Sequence, residues 1–272
     1  MPHSREIRPH AYEVKFLVPM GLAHEIRRWA RIELEADRHG AGPHGDEYRT
    51  TSLYLDNLTL DVFHRRGSMG RSKYRIRRYG TAGQVFLERK MRRPAVLAKR
   101  RTIVPIGSLD HLSPSIERVV PAFDRERTMV DGGWSGGWFH RRINARGLRP
   151  VCQVSYVRMA RGVFHGSEAV RLTLDCELRA QPALDYTFVE EPGLPIAGPL
   201  DGTAILELKY RGPAPAVFKR LVEEFALVPR NASKYRMGML AAFPASTIPV
   251  APISAPGRRR ATRDGGPTEF HA

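Results

Sequence analysis

The stretch KYRIRRYG, residues 73–80, places Arg75 and Arg77 two positions apart with Ile76 between them. In a β-strand, residues two positions apart lie on the same face, so both arginines would line one surface while Ile76 faces the other. Charged residues that would share one strand face recur in four further runs, at 13–15, 88–90, 171–175 and 207–209. Together these runs predict a sheet with one face that carries both basic and acidic side chains.

The overall composition indicates an anionic partner. The chain has 272 residues, with 44 Lys and Arg against 28 Asp and Glu, and a formal net charge of +16. Phosphate compounds, nucleic acids and acidic membrane surfaces all fit such a charge. The hydrophobic fraction of 42% is sufficient for a folded core, which excludes a chain that is disordered throughout.

The sequence predicts a soluble, cytoplasmic protein. It contains no run of 18 apolar residues, and residues 1–10 lack the apolar segment of a signal peptide. Its two cysteines, Cys152 and Cys176, lie in strand-like runs and are expected to be reduced core residues.

Most of the predicted elements are strands. The patterns predict strands at 12–18, 48–55, 73–79, 85–91, 99–104, 151–159, 170–174, 186–190 and 204–210, and helices at 20–36, 217–225 and 233–243. For residues 105–148 only a short helix at 114–123 and a glycine-rich loop at 131–137 are predicted. Short connections with glycine and proline favour antiparallel pairing, and closure would remove exposed edges. We therefore expect an α+β fold, an eight-stranded antiparallel β-barrel with flanking helices, at residues 11–243. Disordered segments are expected at 1–10 and, with a basic composition, at 244–272.

Like charges would be crowded on the polar face of this sheet. Arg75 and Arg77 would lie beside Lys90 of the next strand and Lys99 of the strand after it, with about 4.8 Å between strands. Such crowding costs stability when no anion is present. Phosphate oxygens would relieve it, because they accept charge-assisted and often bidentate hydrogen bonds from arginine.

The carboxylates on the same runs allow two interpretations. Glu13, Glu88, Asp175 and Glu207 lie on different predicted strands and could converge inside a barrel. Mg²⁺ and Mn²⁺ favour oxygen ligands and usually retain waters and substrate phosphates in their shell. A divalent metal site is therefore one interpretation, and ion pairs with neighbouring arginines and lysines are the other.

Nine segments resemble, in the same order, the VTC (vacuolar transporter chaperone) domain, a polyphosphate polymerase domain family among the triphosphate tunnel metalloenzymes related to the CYTH group. These segments are YEVKF at 12–16, YRTTSLYLDN at 48–57, KYRIRRYG at 73–80, VFLERK at 85–90, AKRRTIV at 98–104, VSYVRMA at 154–160, VRLTLD at 170–175, ILELKY at 205–210 and SKYRMG at 233–238. The wider CYTH group opens with ExExK. Here Glu13 and Lys15 are present but residue 11 is Ala, which favours the VTC branch.

The resemblance implies a basic tunnel that binds a nucleoside triphosphate such as ATP with Mn²⁺ or Mg²⁺. The residues that would neutralise the triphosphate during catalysis are Arg75, Arg77, Lys90 and Arg158. Those that would bind substrate are Lys15, Lys99, Arg101, Tyr156, Arg171, Lys209, Ser233 and Lys234. Glu207 would bind the metal, with Glu13 and Glu88 as supporting acids. The implied activity is metal-dependent phosphoryl transfer, most simply the synthesis of polyphosphate.

Several alternatives stay open. With water as the acceptor, the same site would be a triphosphatase, and without turnover it would be a polyphosphate sensor. A nucleic-acid binder also fits the charge, but the cations alternate with acids along strands and no RRM, OB or helix-turn-helix signature appears, so no specific nucleic acid is expected. Eukaryotic polymerase subunits of the family carry an SPX domain and membrane helices that are missing here, so translocation of polymer would need a membrane partner encoded separately. The sequence predicts no oligomeric state.

Two motifs imitate other chemistries. GWSGG at 133–137 fits the GxSxG pattern, but it lies in a glycine-rich loop rather than between a strand and a helix. GSMGRSK at 67–73 is similar to a phosphate-binding loop, but its spacing is not GxxxxGK[ST] and it leads into a strand. Both are predicted to be turns without catalytic function.

Overall fold

The computed structural model describes residues 4–8, 11–92, 97–113, 134–164, 170–190 and 202–244, with residues 246 and 248. The strands in these ranges are β1 (Ser4–Arg8), β2 (Ala11–Pro19), β3 (Glu35–Ala36), β4 (Glu47–Asp56), β5 (Ser72–Tyr79), β6 (Gln84–Arg92), β7 (Leu97–Pro105), β8 (Arg149–Val163), β9 (Val170–Pro182) and β10 (Thr203–Arg211). The α-helices are α1 (Met20–Glu33), α2 (Asp61–His64), α3 (Gly137–Asn144), α4 (Ala216–Glu224) and α5 (Lys234–Ala242), and short 3₁₀ helices cover Met69–Arg71 and Ile106–Leu112. Among the described helices, none combines the length and the apolar character needed to cross a bilayer.

The strands form a single antiparallel sheet. Their order is β1-β7-β6-β5-β4-β8-β9-β10-β2, and the two-residue β3 pairs with β8 beside this path. The predicted α+β fold with a mainly antiparallel sheet and flanking helices is confirmed. Nine strands lie on the path rather than eight, because Ser4–Arg8 pairs with β7 at a place where the sequence predicts no regular structure.

The predicted closure of the barrel is not found in the described part of the chain. β1 and β2 are the two ends of the path, and no ladder joins them there. The sheet is nevertheless curled, because only two residues separate Arg8 from Ala11, which limits their Cα atoms to about 11 Å. The Nζ atom of Lys90 in β6 also lies 2.9 Å from Oε2 of Glu13 in β2. The sheet therefore wraps around an interior, and the described strands do not close a continuous ring of backbone hydrogen bonds.

The apolar residues that alternate with the charged residues along the strands face outward and pack under helices. On β2, β9 and β10, Phe16 and Leu172 are in one core with Ile26 of α1 and Phe218 of α4. On β4 to β7, residues such as Ile76 are in a second core with Phe139 and Ile143 of α3. Each such buried side chain contributes about 1.5–3 kcal/mol. The main apolar support of the sheet thus lies outside it, which leaves the inner face for charge.

α5 packs against the inner face of the sheet at one end. The ring of Tyr235 stacks on Tyr54 of β4 with centroids 5.2 Å apart, and its hydroxyl donates a hydrogen bond of 2.6 Å to Asp56 Oδ2. Asp56 also accepts from the backbone N–H groups of Val62 and Phe63 at the start of α2. This buried carboxylate therefore fixes both helices to the end of β4.

Several predicted elements differ from the structure. The helix predicted at 20–36 ends at Glu33, and Glu35–Ala36 pairs with β8 instead. The strand predicted at 170–174 continues to Pro182. Residues 186–190 are not a strand. Instead, the side-chain amide of Gln153 donates to Val189 O at 2.8 Å and accepts from Val189 N at 3.0 Å, which satisfies this backbone without a ladder. α3 begins at Gly137, where the sequence predicts only a glycine-rich loop. The predicted helix at 114–123 lies outside the described residues, as do residues 245, 247 and 249–272.

We predict that Gly238→Ala destabilises the fold. A Cβ at Gly238 would lie 2.4 Å from Val154 Cγ2 and 3.1 Å from Cys152 Sγ, so α5 would have to move away from β8. Overpacking of this kind costs about 1–3 kcal/mol, although helix propensity alone would favour alanine. Chemical denaturation would measure the loss. Gly21→Ala in α1, where the added Cβ meets nothing within 4 Å, is the matched control and should not be destabilising. Equal stabilities of the two variants would contradict the close approach of α5.

Candidate active site

The inner face brings the predicted cations together. Among the described residues, eleven cationic side chains from seven strands and α5 belong to this face, and four buried or half-buried carboxylates lie among them. The cations are Lys15, Lys73, Arg75, Arg77, Lys90, Lys99, Arg101, Arg158, Arg171, Lys209 and Lys234, and the carboxylates are Glu13, Glu88, Asp175 and Glu207. The alternation of charge along the strands is the cause, since residues two positions apart, such as Arg75 and Arg77 or Glu207 and Lys209, share one face.

Glu88 is the counter-ion of one group of cations. It faces Arg75 of β5 and Arg101 of β7 across the ladder and is only 2% exposed. Its carboxylate lies 2.6 Å from Arg75 Nε, 3.3 Å from Lys99 Nζ and 3.1 Å from Arg101 Nε. Burial alone would raise the pKa of Glu88, but these cations and Arg77 hold the pKa well below its ordinary value. Glu88 is therefore charged and fully engaged.

Glu13 and Glu207 form a second group, in which they share lysines. Glu207 lies 3.2 Å from Lys15 Nζ, 3.4 Å from Lys209 Nζ and 3.1 Å from Lys234 Nζ. Lys15 also lies 3.1 Å from Glu13, which puts the two carboxylates on either side of one ammonium group. Although burial opposes ionisation, the lysines keep the pKa of Glu207 well below its ordinary value and lower the pKa of Glu13 to about 2.

Asp175 holds Arg158 and Lys234 in place. Arg158 donates two parallel hydrogen bonds of 2.6 and 2.7 Å to this fully buried carboxylate, and Lys234 Nζ lies 2.5 Å from Asp175 Oδ2. Lys234 also lies over the ring of Tyr156, 5.0 Å from its centroid. Because Lys234 is the first residue of α5, these contacts connect this helix to the charged side chains of β8 and β9.

Of the eleven cations on the inner face, two have no carboxylate within 4 Å among the described residues. Arg77, which is 4% exposed, donates to Ser52 Oγ at 3.1 Å and Tyr156 Oη at 3.0 Å, both neutral hydroxyls. Lys73 donates to Ser233 Oγ at 3.0 Å. Burial, with Lys15 and Lys90 nearby, lowers the pKa of Lys73 to about 8. A buried charge without a counter-ion is costly, so these two groups mark where an anion would bind most favourably.

Lys73 was not among the residues singled out from the sequence. The signal was present, because Lys73 precedes Arg75 by two positions in the same alternating run and so shares its face. Arg171, by contrast, lies near the other end of this face, where it is 2.8 Å from Asp37 Oδ2 and donates to Tyr48 Oη at 3.0 Å.

Carboxylate oxygens suited to Mg²⁺ or Mn²⁺ are present, but they are unequally placed. The described residues contain no group of three or more His, Cys, Asp or Glu side chains that could hold a metal ion. Glu13 and Glu207 are close to one another through Lys15 and Lys209, and a pair of carboxylates completed by phosphate oxygens and water fits these ions. Glu88 shares no cation with either of them in the described ion pairs, which fits a counter-ion better than a third ligand.

Comparison with known families agrees with this arrangement. The family model of the VTC domain matches residues 10–243. The chain belongs to the VTC domain family. No match is found among curated proteins.

Solved structures with a related architecture come from bacteria, archaea and plants. A provisionally assigned adenylate cyclase from Bacillus halodurans is 14% identical with a TM-score of 0.47, and the match covers 85% of this VTC domain chain and 97% of that protein. An adenylyl cyclase-like protein from Hippeastrum, described as having a dominant triphosphatase activity, is 15% identical with a TM-score of 0.45 over 86% and 97% of the two chains. A protein from Pyrococcus horikoshii is 14% identical with a TM-score of 0.42 over 83% and 97%. At TM-scores below 0.5 these similarities carry no functional argument.

We predict that Glu88→Gln destabilises the VTC domain and tightens its binding of phosphate. Arg75, Lys99 and Arg101 would lose their shared counter-ion, which should lower the free energy of unfolding by about 3–5 kcal/mol. Inorganic tripolyphosphate could replace the lost charge, so its affinity should rise. Denaturation with and without tripolyphosphate measures both effects.

The matched control is Glu190→Gln. Glu190 pairs with Arg78 on the surface, and its side chain is 63% exposed. Its removal should cost at most about 1 kcal/mol and should leave tripolyphosphate affinity unchanged. If Glu88→Gln behaved like this control, Glu88 would not be the counter-ion described here.

The lowered pKa values predict that stability and tripolyphosphate binding change in opposite directions as the pH rises. Burial lowers the pKa of Lys73 and Lys209 to about 8, and Arg77 with Arg101 overcomes the effect of burial to lower the pKa of Tyr79 to about 8. From about pH 8 to about pH 10 the unfolded chain keeps these protons while the folded chain loses them, so the free energy of unfolding of the ligand-free domain should rise with pH. Tripolyphosphate binding should weaken over the same range, because two cations are lost and one anion is gained.

Thermal unfolding at about pH 7.5 and about pH 9.5, with and without tripolyphosphate, tests this. Lys73→Arg stays charged over the whole range and should reduce both trends. A ligand-induced increase in Tm of equal size at both pH values would contradict the assignment of these lysines to the anion site.

Proposed function

We propose that this VTC domain binds a nucleoside triphosphate on its inner face and catalyses metal-dependent transfer of the terminal phosphoryl group, most simply to the end of a polyphosphate chain. The observation that supports the proposal most strongly is the pair of desolvated cations without carboxylate partners, Arg77 and Lys73. They lie four residues apart on the same strand face, so a chain of phosphates could contact both.

The other cations would position and neutralise the phosphates. Phosphoryl transfer depends on alignment and electrostatic stabilisation more than on a protein nucleophile. Arg158 is fixed by its bidentate pair with Asp175, and Arg75 by Glu88, so both present their remaining N–H groups in set directions. Lys90, which is held by Glu13, would supply a further charge. These residues would lower the barrier by stabilising charge that develops on the phosphate oxygens.

Glu207 and Glu13 would hold the Mn²⁺ or Mg²⁺, which supplies charge neutralisation at the phosphate oxygens. Lys15 and Lys209 now neutralise these carboxylates and are long, flexible side chains. They can turn to the phosphates when a divalent ion takes over the carboxylates. In this proposal Glu88 is a counter-ion of the phosphate-binding arginines.

The remaining predicted binding residues fall into two sets around this centre. Ser233 and Lys234, beside Tyr156, border the end closed by α5, whereas Arg171 and Arg101 lie towards the other end. Lys99 lies between, on the Glu88 group. Because these cations turn inward rather than cover an exposed helix or outer surface, they suit a narrow condensed phosphate better than a nucleic-acid duplex.

Incubation of the purified protein with ATP and Mn²⁺ tests the proposal, with gel detection of polyphosphate and a free-phosphate assay in parallel. Polymer supports the polymerase. Free phosphate alone would replace it with a triphosphatase, and tight ATP binding without either product would replace it with a sensor.

We predict that Glu207→Gln abolishes metal-dependent turnover, because one of the two carboxylates of the metal site loses its charge. Glu224→Gln is the matched control. Its side chain accepts a hydrogen bond from Trp29 on the outer surface, which an amide oxygen can also accept, so activity should be unchanged. Metal-dependent turnover by Glu207→Gln at the wild-type rate would contradict the metal assignment.

Arg77→Ala should weaken ATP binding by about tenfold or more, since it removes a charge-assisted contact.

A further inference from the structure

We propose that the end of the sheet covered by α5 carries a surface that binds a bilayer of anionic phospholipids. Three exposed leucines would enter the interfacial region of the bilayer, and arginines around them would contact the lipid phosphates. The leucines of this leucine surface are Leu58, Leu184 and Leu240. Lipid binding here is independent of the proposed phosphoryl transfer on the inner face.

Two of the leucines follow strand ends that flank the start of β8. The last residue of β4 pairs with the first residue of β8, and the last residue of β9 pairs with Cys152 of β8. β4 and β9 therefore lie on either side of β8, about 10 Å apart. Leu58 comes two residues after the end of β4, and Leu184 comes two residues after the end of β9.

α5 brings the third leucine to the same end of the sheet. A Cβ on Gly238 would meet Val154 and Cys152 of β8, so this turn of the helix lies against the first part of that strand. Leu240 follows two residues later and is 58% exposed, while Leu58 and Leu184 are 68% and 92% exposed. Among the leucines whose side chains the structure describes, these three are the exposed ones. Their location at one end indicates an apolar partner.

Arginines without carboxylate partners lie at the same end. Arg65 and Arg71 are in the connection from α2 to β5, which enters the sheet beside the end of β4, and Arg149 is the first residue of β8. All three are exposed, and within the described ranges none has a carboxylate within 4 Å. Arg146, after α3, contacts the same connection, with its Nη1 atom 3.1 Å from Met69 Sδ.

The acidic residues of this end do not offset these charges. Asp61 of α2 already lies 3.4 Å from Arg66. Asp185 accepts a hydrogen bond of 2.8 Å from the backbone N–H of Thr187. The leucine surface is therefore both apolar and positively charged.

This combination favours a lipid surface over other partners. A second copy of the chain, meeting the first through the same surface, would bring arginines against arginines. A nucleic acid would neutralise the arginines but leave the leucines in water. An anionic bilayer satisfies both groups, because its surface attracts basic side chains and its interfacial region takes up apolar ones.

Co-sedimentation of the full chain with vesicles tests the proposal. The vesicles are phosphatidylcholine alone and an equimolar mixture of phosphatidylcholine and phosphatidylserine, and the wild-type protein should bind strongly only to the mixture. Leu58→Ser and Leu184→Ser should each weaken that binding by roughly fivefold or more, because a leucine no longer leaves water. Both side chains are exposed, so the fold is retained.

The matched control for the leucines is Ile32→Ser on α1. Ile32 is 82% exposed but lies near the opposite end of the sheet, since Glu35–Ala36 pairs with β8 at Arg161 and Gly162, far from the start of that strand. This variant should bind the vesicles as the wild-type protein does.

The charge contribution is measured with a second pair of variants. Arg71→Gln combined with Arg149→Gln should weaken binding to the mixed vesicles by about twentyfold, because each arginine near an anionic surface contributes about fivefold. Lys219→Gln combined with Arg220→Gln is the control. It removes two exposed cations from α4, which packs through Phe218 on Tyr210 near the end of β10, and should leave binding unchanged.

Failure of the wild-type protein to sediment with the mixed vesicles would overturn the proposal, as would equal binding by the wild-type protein and both leucine variants. Binding that depends on the arginines but not on the leucines would replace the bilayer with a soluble polyanion such as a nucleic acid. Weakening by the leucine and arginine variants, with both controls unchanged, is the expected result, and it would stand whether or not the domain transfers phosphoryl groups.

Discussion

Repulsion between cations on the inner face is the constraint on which the rest of this structure depends. Within the described residues, eleven basic side chains there meet the four carboxylates of this face and Asp37, and several ion pairs are largely desolvated. Desolvated charges are tolerated only when they are paired and fixed. Glu88, Asp175, Glu207 and Glu13 each serve two or more cations, so the charge balance is local but incomplete. Arg77 and Lys73 are left with neutral hydroxyls.

The two apolar cores on the outer side of the sheet offset the electrostatic cost of the inner face. α1 and α4 cover one half of the sheet and α3 covers the other, so the strands are held from outside by side chains such as Phe16 and Ile76. Inside, α5 supplies apolar contact only at one end, through Tyr235 and Gly238. Small barrels usually fill their interior with apolar side chains. Here the usual distribution is inverted, which is typical of sites where function is maintained at the expense of stability.

The sequence was most informative where the structure depends on local alternation. The strand bounds around Arg75, Glu88 and Glu207 follow from it to within a residue, as does the start of the strand that carries Arg171, and so does the inward direction of their charges. Lys73 follows from the same rule but was hidden by its proximity to the glycine-rich turn. The open ladder between the end strands and the pairing of Gln153 with residue 189 could not be predicted, because both depend on contacts between segments distant in the chain. Glycine at the start of α3 concealed a helix that tertiary packing of Phe139 and Ile143 stabilises.

The sharing of Lys15 and Lys209 by Glu13 and Glu207 has a thermodynamic consequence. In the proposed site, a divalent ion would displace ammonium groups from these carboxylates, and a bound polyanion would attract the same ammonium groups. The divalent ion and the polyanion would therefore bind cooperatively, and by reciprocity each would raise the affinity of the other by the same factor. Without the polyanion, these lysines would compete with free divalent cations for the two carboxylates. Lys15 and Lys209 would leave these carboxylates only when the metal ion and the polyanion bind together.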